Sequence, residues 1–375
     1  MGTSLTDQQV RRLRLRSQRL AGEPAGGVPE AVRAVVGLPA QDTRASRLAV
    51  RPRGAGLTAA AVRRACDQER SVVRTWAMRG TLHVVAAEDV GWLLALLGPV
   101  FAAAGRRRRL QLGLDDATSE RGLAAIAEVL AGDRQLTRAE LVREVVARGV
   151  AVEVAGQASA HLLAHAARLG LVCRGPDLGE EPSYVLLAEW LGEQPAPPPE
   201  PDAALAELAR RYLGGHGPAG ADDLAAWSGL PLGRARRGLE LVAGELEEVR
   251  AAGKQAFVLA GSGADLPALA AGRPPLRLLG HFDPYLLGWR GRELVLPARH
   301  ARRIQAGGGM IQPALLVDGR VAGTWRQRRA AAGRLTVAVQ PFGRLGRALL
   351  PACEAEAADV GRFLGVEADL AVEGG

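Results

Sequence analysis

The sequence predicts an α+β fold in which three tandem winged-helix motifs precede a C-terminal small β-barrel. Helix-start signals followed by hairpin signals recur up to about residue 265, and a proline-rich segment at 193–201 separates two of these units. From about residue 274 the pattern changes to short β-rich runs broken by turns. These observations divide the 375 residues into four predicted regions, at 1–115, 116–195, 196–265 and 266–375.

The first region begins with LTDQQV, a helix-start signal. Thr6 is a suitable N-cap, Gln9 stands at the position of its capping-box partner, and Leu5 and Val10 have the spacing of a hydrophobic staple. Further helices are predicted at 29–36, 43–50 and 58–67. The stretch VVRTWAMRGTLHVV then predicts a hairpin with a two-residue turn at 79–80. Helices followed by a hairpin have the outline of a winged helix.

The same outline returns twice. In the second region LTRAELV repeats the capping signal, with Thr137 and Glu140, and a helix at 158–169 precedes two strands, LVCRG and SYVLLA. In the third region three helical segments, DAALAELARRYL, ADDLAAW and LGRARRGLELV, precede a hairpin that turns near Gly253. The last region contains VDGR at 317–320, a strong hairpin signal, and a final helix at 354–364.

The charge of the chain suggests a polyanionic partner. Lysine and arginine total 48 against 40 aspartate and glutamate, which gives a net charge of +8 and a pI near 10.4. Such a basic excess is typical of proteins that bind nucleic acid. The only lysine is Lys254, so arginine carries the excess, and a GC-rich genome is an alternative source of that bias.

Several classes of protein fit the sequence poorly. No run of 18 uninterrupted apolar residues predicts a membrane span, and the first residues have no apolar core of a signal peptide. Cys66, Cys173 and Cys353 are widely spaced and match no metal-ligand pattern. We therefore expect a cytoplasmic, nucleoid-associated protein in a reducing compartment.

Four further patterns have two interpretations each. His161 and His165 have the i,i+4 spacing of a zinc pair but lack a third ligand, which favours core or phosphate-facing histidines. The triglycine at 307–309 lies in no strand–loop–helix context, so a phosphate-binding loop is not predicted. The arginine run at 106–109 is a solvated helix end or a phosphate clamp. The run WRQRR at 325–329 is a strand end or a DNA-groove contact.

The stretch GLPAQDTR, at 37–44, combines turn chemistry with possible reaction chemistry. Pro39 ends the preceding helix, and Asp42 is a suitable N-cap for the helix that starts at Thr43. Neither role explains Gln41, a side chain that can position a water molecule.

Five segments together resemble the AlkZ/YcaQ-type bacterial DNA glycosylases, over nearly the full length of the chain. They are LPAQDTRASRLAVR, RTWAMRGTLHVVAAEDVGWLLALLGPV, RRYLGGHGPAGADDLAAWSGLPL, HFDPYLLGWRGR and VDGRVAGTW. The resemblance implies three winged helices and a β-barrel that form a C-shaped DNA cradle. It also implies removal of bulky N-alkylated purines, including interstrand crosslinks made by genotoxic natural products, and self-resistance of the producing organism.

The resemblance assigns the catalytic motif to residues 39–41. In the family this motif is glutamine, an apolar residue, then glutamine or aspartate, whereas this chain has Pro39, Ala40 and Gln41. Catalysis is therefore expected from Gln41. Either Gln41 suffices alone, or a neighbour such as Asp42 or His83 compensates for Pro39, or the activity is reduced or lost. The predicted DNA-binding residues are Arg44, Arg47, Arg51, Arg79, His83, Trp325, Arg326, Arg328 and Arg329.

We expect a monomer that acts on double-stranded DNA with no metal and no organic cofactor. A glycosylase/lyase needs an amine, and only Lys254 and the N-terminus are available, so a monofunctional, water-using enzyme is expected. The alternative is a non-enzymatic winged-helix DNA-binding protein, a regulator or an adduct sensor that has lost the first glutamine. A structural protein with no nucleic-acid role fits the basic charge poorly.

Overall fold

The structure is a computed structural model that describes residues 3–192, 200–262, 275–329 and 333–374. The chain divides into two compact units: unit 1 combines Met1–Arg63 with Ala206–Gly375, and unit 2 is Arg64–Leu205. The first predicted region, residues 1–115, contributes to both units. The α+β class is confirmed, while the winged-helix assignment, the barrel and the four-region division stay predictions. Most of the predicted proline-rich linker, 193–199, lies outside the described residues.

Unit 1 is built from helices and two sheets. Its helices, with two that extend across the unit boundary, are α1 (Asp7–Ser17), α2 (Val28–Arg33), α3 (Thr43–Val50), α4 (Ala59–Asp67), α11 (Pro201–His216), α12 (Ala221–Ser228), α13 (Leu232–Leu241), α14 (Pro284–Leu287), α15 (Ala301–Ile304) and α16 (Leu350–Leu364). Its strands are β1 (Thr3–Leu5), β2 (Leu38–Pro39), β8 (Leu246–Ala251), β9 (Lys254–Leu259), β10 (Arg277–Leu279), β11 (Ala314–Val317), β12 (Arg320–Arg329), β13 (Leu335–Pro341) and β14 (Ala368–Val372).

The first helix forms where the sequence predicts it. Thr6 Oγ1 accepts the N–H of Gln9, and Gln9 Oε1 accepts the N–H of Thr6, so the capping box is complete. Leu5 and Val10, on either side of the cap, are both buried in one apolar cluster with residues of β8 and β9. Local capping and tertiary burial thus fix the same helix start.

Two hairpins of unit 1 confirm their sequence signals. The turn between β8 and β9 consists of Ala252 and Gly253, and the turn between β11 and β12 consists of Asp318 and Gly319. All four residues have positive φ, between 48° and 75°, as two-residue hairpin turns of this type require. Strand β1 pairs in parallel with β8 and extends the first hairpin to three strands.

The C-terminal strands of unit 1 form one sheet in chain order, β10-β11-β12-β13-β14. The first four strands pair antiparallel, as in the predicted meander. The fifth, β14, was not predicted and pairs in parallel with β13 after the chain returns through α16. The final helix begins at Leu350, four residues earlier than the sequence indicates.

Among its described residues, unit 2 has a sheet and six helices of its own. Its helices are α5 (Ala87–Ala104), α6 (Arg106–Gln111), α7 (Asp116–Leu130), α8 (Arg138–Ala147), α9 (Gln157–Arg168) and α10 (Leu187–Leu191). Its strands are β3 (Val72–Trp76), β4 (Leu82–Ala86), β5 (Leu136–Thr137), β6 (Val172–Leu178) and β7 (Glu181–Leu186). Within the unit the strand order is β4-β3-β6-β7-β5.

The first hairpin of unit 2 has a longer connection than predicted. Trp76 pairs with Leu82, so five residues connect β3 to β4 in place of a two-residue turn at 79–80. A short 3-10 turn closes this connection, in which Arg79 and Gly80 have φ values of 55° and 64°. The dipeptide therefore supplies the left-handed backbone that its sequence indicates, but within a wider loop.

Helix α5 is long and apolar enough to cross a membrane by length and composition alone, with a mean hydropathy of 1.4. Core helices of water-soluble proteins pass the same test. Much of α5 is buried, including Val90, Leu93 and Leu97. At Gly98 an added Cβ would lie 2.1 Å from the carbonyl oxygen of Arg168, so only glycine allows the close approach of α9.

Candidate active site

The start of helix α3 presents several polar side chains to solvent, among them Gln41 and Asp42. Asp42 is the N-cap of α3, and its Oδ1 accepts the backbone N–H groups of Arg44, at 2.8 Å, and Ala45, at 3.0 Å. The predicted cap is confirmed. Gln41, one residue earlier, is exposed, and its amide makes no hydrogen bond to the residues that the structure describes.

The Asp42 carboxylate has one oxygen in the helix cap and one outside it. Oδ1 makes both capping bonds, whereas Oδ2 accepts no hydrogen bond from any described residue. Since a cap needs only one oxygen, Oδ2 remains available to accept a hydrogen bond from water. The exposed amide of Gln41 and this oxygen belong to adjacent residues.

Pro39 contributes no polar group to this segment. It belongs to β2 and is buried, as are its neighbours Leu38 and Ala40. A proline has neither a backbone N–H nor a side-chain acceptor. The chemistry of residues 39–42 therefore depends on Gln41 and Asp42.

Arg51 has a structural role, which corrects its assignment to DNA. Its guanidinium is buried and bonds to Glu356 at 2.8 Å, to Asp359 at 2.6 Å and to the carbonyl of Leu278 at 2.6 Å. These partners, on α16 and β10, leave it no exposed edge with which to reach a phosphate. The pair with Glu356 raises the pKa of Arg51 against the opposing effect of its burial.

A second buried arginine fixes the end of α3. Arg53 makes a two-pronged pair with Asp283, at 2.7 and 2.8 Å, and donates to the carbonyl of Ala49 and to Gln18 Oε1. Asp283 also caps α14 by accepting the N–H of Tyr285. This pair was not predicted from the sequence, although Asp283 lies in HFDPYLLGWRGR, one of the five segments that resemble the family. The pair holds the frame that carries Gln41.

Arg44 and Arg47 remain candidates for phosphate contact. They lie three residues apart on α3, a spacing that places side chains on one helix face. Arg44 is exposed and Arg47 is half-buried. Arg44 and Arg47 follow Gln41 by three and six residues.

His83, in unit 2, is not a surface residue, which corrects its assignment to DNA contact. It is buried, and its Nδ1 donates to the carbonyl of Thr81 at 2.9 Å. Burial lowers the pKa of His83 to about 3, with a further contribution from the nearby Arg79. The imidazole is therefore neutral at neutral pH. Arg79 itself is half-buried.

The lowered pKa of His83 predicts acid sensitivity of the fold. An unfolded histidine has a pKa near 6.5, so between about pH 6.5 and 3 the unfolded chain binds more protons than the folded chain. The free energy of unfolding therefore falls as the pH falls through this window. Between pH 7 and pH 5 the wild type should therefore lose up to about 2 kcal/mol more of its free energy of unfolding than His83→Gln does. Urea titrations at each pH measure this difference. An equal loss in both proteins would contradict this expectation.

The run WRQRR in β12 combines one buried residue, Trp325, with three exposed arginines. Trp325 is buried, and its Nε1 donates to the carbonyl of Leu279 at 2.7 Å, so it cannot enter a DNA groove. Arg326 and Arg328 are exposed but share one carboxylate, Glu373, at 2.8 and 2.7 Å. Arg329 is exposed. The assignment of Trp325 to DNA is thus wrong, while the three arginines remain candidates.

The histidine pair and the arginine run of unit 2 have mainly structural contacts. His165 is buried, and this burial together with Arg109 and Arg168 lowers its pKa to about 4. Arg106 pairs with Asp116, and Arg109 donates to the carbonyl of Ala102. Within the described ranges, no three His, Cys, Asp or Glu side chains are grouped closely enough to hold a metal ion.

Comparisons with known proteins identify the class of the protein. A family model described as DNA glycosylase AlkZ-like matches residues 32–363, and the chain belongs to this family. The chain is 33% identical over 306 residues to an "Interstrand DNA cross-link repair glycosylase" of Streptomyces sahachiroi, a match that covers 79% of this chain and 80% of the relative. The solved structure of Streptomyces sahachiroi DNA glycosylase AlkZ is similar, with a TM-score of 0.85 and 30% identity, over 99% of this chain and 100% of that chain.

Proposed function

We propose that the chain is a monofunctional DNA glycosylase of crosslink repair. It hydrolyses the N-glycosidic bond of bulky N7-alkylguanine in double-stranded DNA, crosslinked guanine included, and leaves an abasic site. It acts as a monomer in the cytoplasm and protects its host from a DNA-alkylating natural product. The observation that carries the proposal is the exposed amide of Gln41 at the position of the family's second polar motif residue. Family membership and the name of the Streptomyces sahachiroi relative support it.

Hydrolysis of an N7-alkylguanine needs only one catalytic amide. An N7-alkylguanine carries a positive charge, so its glycosidic bond is already weakened and the departing base is neutral. The remaining barrier is the oxocarbenium character of the sugar in the transition state. A group that positions one water molecule and places negative charge near this cation accelerates the reaction. The Oε1 of Gln41 orients the water, and the unbonded Oδ2 of Asp42 supplies negative charge.

Pro39 restricts the substrate. Because residue 39 has no polar side chain, the site lacks the first amide of the family motif. An activated leaving group compensates for this loss, whereas an unmodified purine does not. We therefore propose that only cationic N-alkylpurines are substrates.

Substitutions of Asp42 test whether its carboxylate contributes to catalysis beside Gln41. Asp42→Asn keeps an acceptor for the helix cap but removes the charge, so we expect the free energy of unfolding to change by less than about 0.5 kcal/mol while excision slows about tenfold. Asp42→Ala removes cap and charge, and we expect an additional loss of about 1 kcal/mol of stability. Urea denaturation and single-turnover excision separate these effects. Full activity of Asp42→Asn would restrict Asp42 to the cap.

A non-enzymatic DNA-binding protein is the second candidate function, and Pro39 is the observation that favours it. The two candidates differ in one assay. The protein is incubated with a duplex that carries one N7-alkylguanine, and the DNA is then heated in mild base to break the strand at abasic sites. Breaks above the protein-free control are expected for the enzyme, and none for the binder.

A parallel reaction with borohydride tests the water-using mechanism. The only lysine, Lys254, lies in β9, so no Schiff base with the sugar is expected. The expected result is excision without a covalent protein–DNA adduct. A borohydride-trapped adduct would show lyase chemistry and contradict the monofunctional assignment.

A further inference from the structure

One long stretch of unit 1 is almost free of acidic residues. Between Glu293 and Glu354 the sequence contains one carboxylate side chain, Asp318, where the average of the chain predicts about six. The same stretch contains ten arginines: Arg299, Arg302, Arg303, Arg320, Arg326, Arg328, Arg329, Arg334, Arg344 and Arg347. The basic excess of the protein is therefore concentrated here.

Three of these arginines are balanced by carboxylates from the C-terminal end. Arg326 and Arg328 pair with Glu373, and Arg334 pairs with Glu367 and Asp369. The other seven are exposed, and no carboxylate of the described ranges lies within 4.0 Å of their guanidinium groups. They are Arg299, Arg302, Arg303, Arg320, Arg329, Arg344 and Arg347.

Three of the seven arginines form a compact basic–aromatic patch, which consists of Arg299, His300, Arg302, Arg303 and Phe342. Arg299 and His300 lie in a 3-10 turn, and Arg302 and Arg303 follow in α15. The His300 ring stacks on Phe342 with centroids 4.1 Å apart, and the Arg303 guanidinium lies 4.5 Å from the centroid of the Phe342 ring. Ring contacts thus hold His300, Arg303 and Phe342 of the patch together.

His300 also holds a second arginine of the patch, Arg299, in place. Arg299 Nε donates to His300 Nε2 at 3.0 Å, which requires that this nitrogen carry no proton. Partial burial together with Arg299 and Arg303 lowers the pKa of His300, in agreement with a neutral ring. The neutral tautomer then has its proton on Nδ1, as a further hydrogen-bond donor.

The fold itself does not require three arginines here. Guanidinium groups three and four residues apart repel one another, and no described carboxylate offsets the repulsion. The triglycine at 307–309, directly after α15, is exposed and has no side chain that would obstruct a large partner. An extended polyanion satisfies these charges, and duplex DNA presents phosphates along its whole length.

We propose that the basic–aromatic patch is a docking surface for the phosphodiester backbone of duplex DNA. The inference rests on the proposed function, because that function makes DNA the substrate. Arg299, Arg302 and Arg303 contact phosphates, and Phe342 with His300 positions two of these arginines. The patch differs from the run at 325–329, where Trp325 is buried and two arginines already have a carboxylate partner.

The test measures the affinity for an unmodified duplex as a function of salt. Each lost phosphate contact lowers the slope of log affinity against log salt concentration by about 0.9. We therefore expect Arg302→Ala/Arg303→Ala to reduce the slope by about 2 and to weaken binding on the order of tenfold or more at about 0.1 M salt. Arg302→Lys/Arg303→Lys keeps the charges and should retain most of the slope.

The matched control is Arg334→Ala/Arg362→Ala, which removes the same charge from exposed arginines that are paired with Asp369 and Asp359. This variant should bind duplex DNA as the wild type does. Circular dichroism confirms that all variants are folded. Equal slopes of log affinity against log salt concentration for Arg302→Ala/Arg303→Ala and the control would overturn the inference. An acidic protein would then be the favoured partner of the patch.

The two proposals fail separately. If the wild type excises alkylated guanine but the patch variants bind DNA normally, only the docking surface is wrong. If the wild type binds DNA through the patch but excises nothing, the docking surface stands and the glycosylase proposal fails. A wild type that binds no duplex DNA would overturn both.

Discussion

Replacement of Gln41 by alanine is expected to slow the release of N7-alkylguanine from duplex DNA about 100-fold, because the amide that orients the attacking water is lost. Since Gln41 is exposed and its side chain has no hydrogen-bond partner among the described residues, the free energy of unfolding should change by less than about 0.5 kcal/mol. Single-turnover kinetics with protein in excess over DNA measure the chemical step, and urea denaturation measures stability.

Gln68→Ala is the matched control for Gln41→Ala. Gln68 is exposed, like Gln41, lies beyond the end of α4 and has no side-chain hydrogen bond to the described stretches of the chain. Its replacement should leave excision at the rate of the wild type. A Gln41→Ala protein that excises within about twofold of the wild-type rate would remove this residue from the mechanism.

Replacement of Arg53 by methionine is expected to lower the free energy of unfolding by about 3–5 kcal/mol. The substitution leaves Asp283 as a fully buried carboxylate without its cation. Arg53→Met/Asp283→Asn should recover part of this loss, because asparagine removes the orphaned charge and can still cap α14. The measurement is urea denaturation followed by circular dichroism.

The comparison for Arg53→Met is an exposed ion pair of the same unit. Arg334 and Asp369 are 43% and 57% exposed, so Arg334→Met should cost at most about 1 kcal/mol. Equal effects of the two substitutions would show that burial of the Arg53–Asp283 pair is unimportant. Arg53 also donates a hydrogen bond to the last turn of α3. Arg53→Met should therefore also weaken the attachment of the helix that begins at the candidate active site.

Features that depend on neighbouring residues could be predicted from the sequence. The capping boxes at Thr6 and Thr137 and the turn at 318–319 each need only two to four adjacent residues, and all three form as expected. Asp42 is the N-cap for the same reason. Helix starts and tight turns are encoded locally, because their hydrogen bonds close within a few residues.

Features that depend on distant residues could not be predicted in this way. Arg51 and Trp325 have the composition of DNA-binding residues, but their partners are Glu356 and the carbonyl of Leu279, which are far away in the sequence. Strand β14 pairs in parallel with β13 only after an intervening helix. An arginine paired inside a fold and one presented to DNA cannot be distinguished until its carboxylate partners are located.

The most direct test of the central claim is the rate at which wild-type protein releases the alkylated base from duplex DNA, relative to spontaneous depurination of the same duplex. Free N7-alkylguanine is quantified by mass spectrometry under single-turnover conditions, at a protein concentration that saturates the DNA. We predict first-order release well above the protein-free rate, with intact sugar–phosphate strands that carry abasic sites. Release at the spontaneous rate from DNA that is fully bound by the protein would contradict the account.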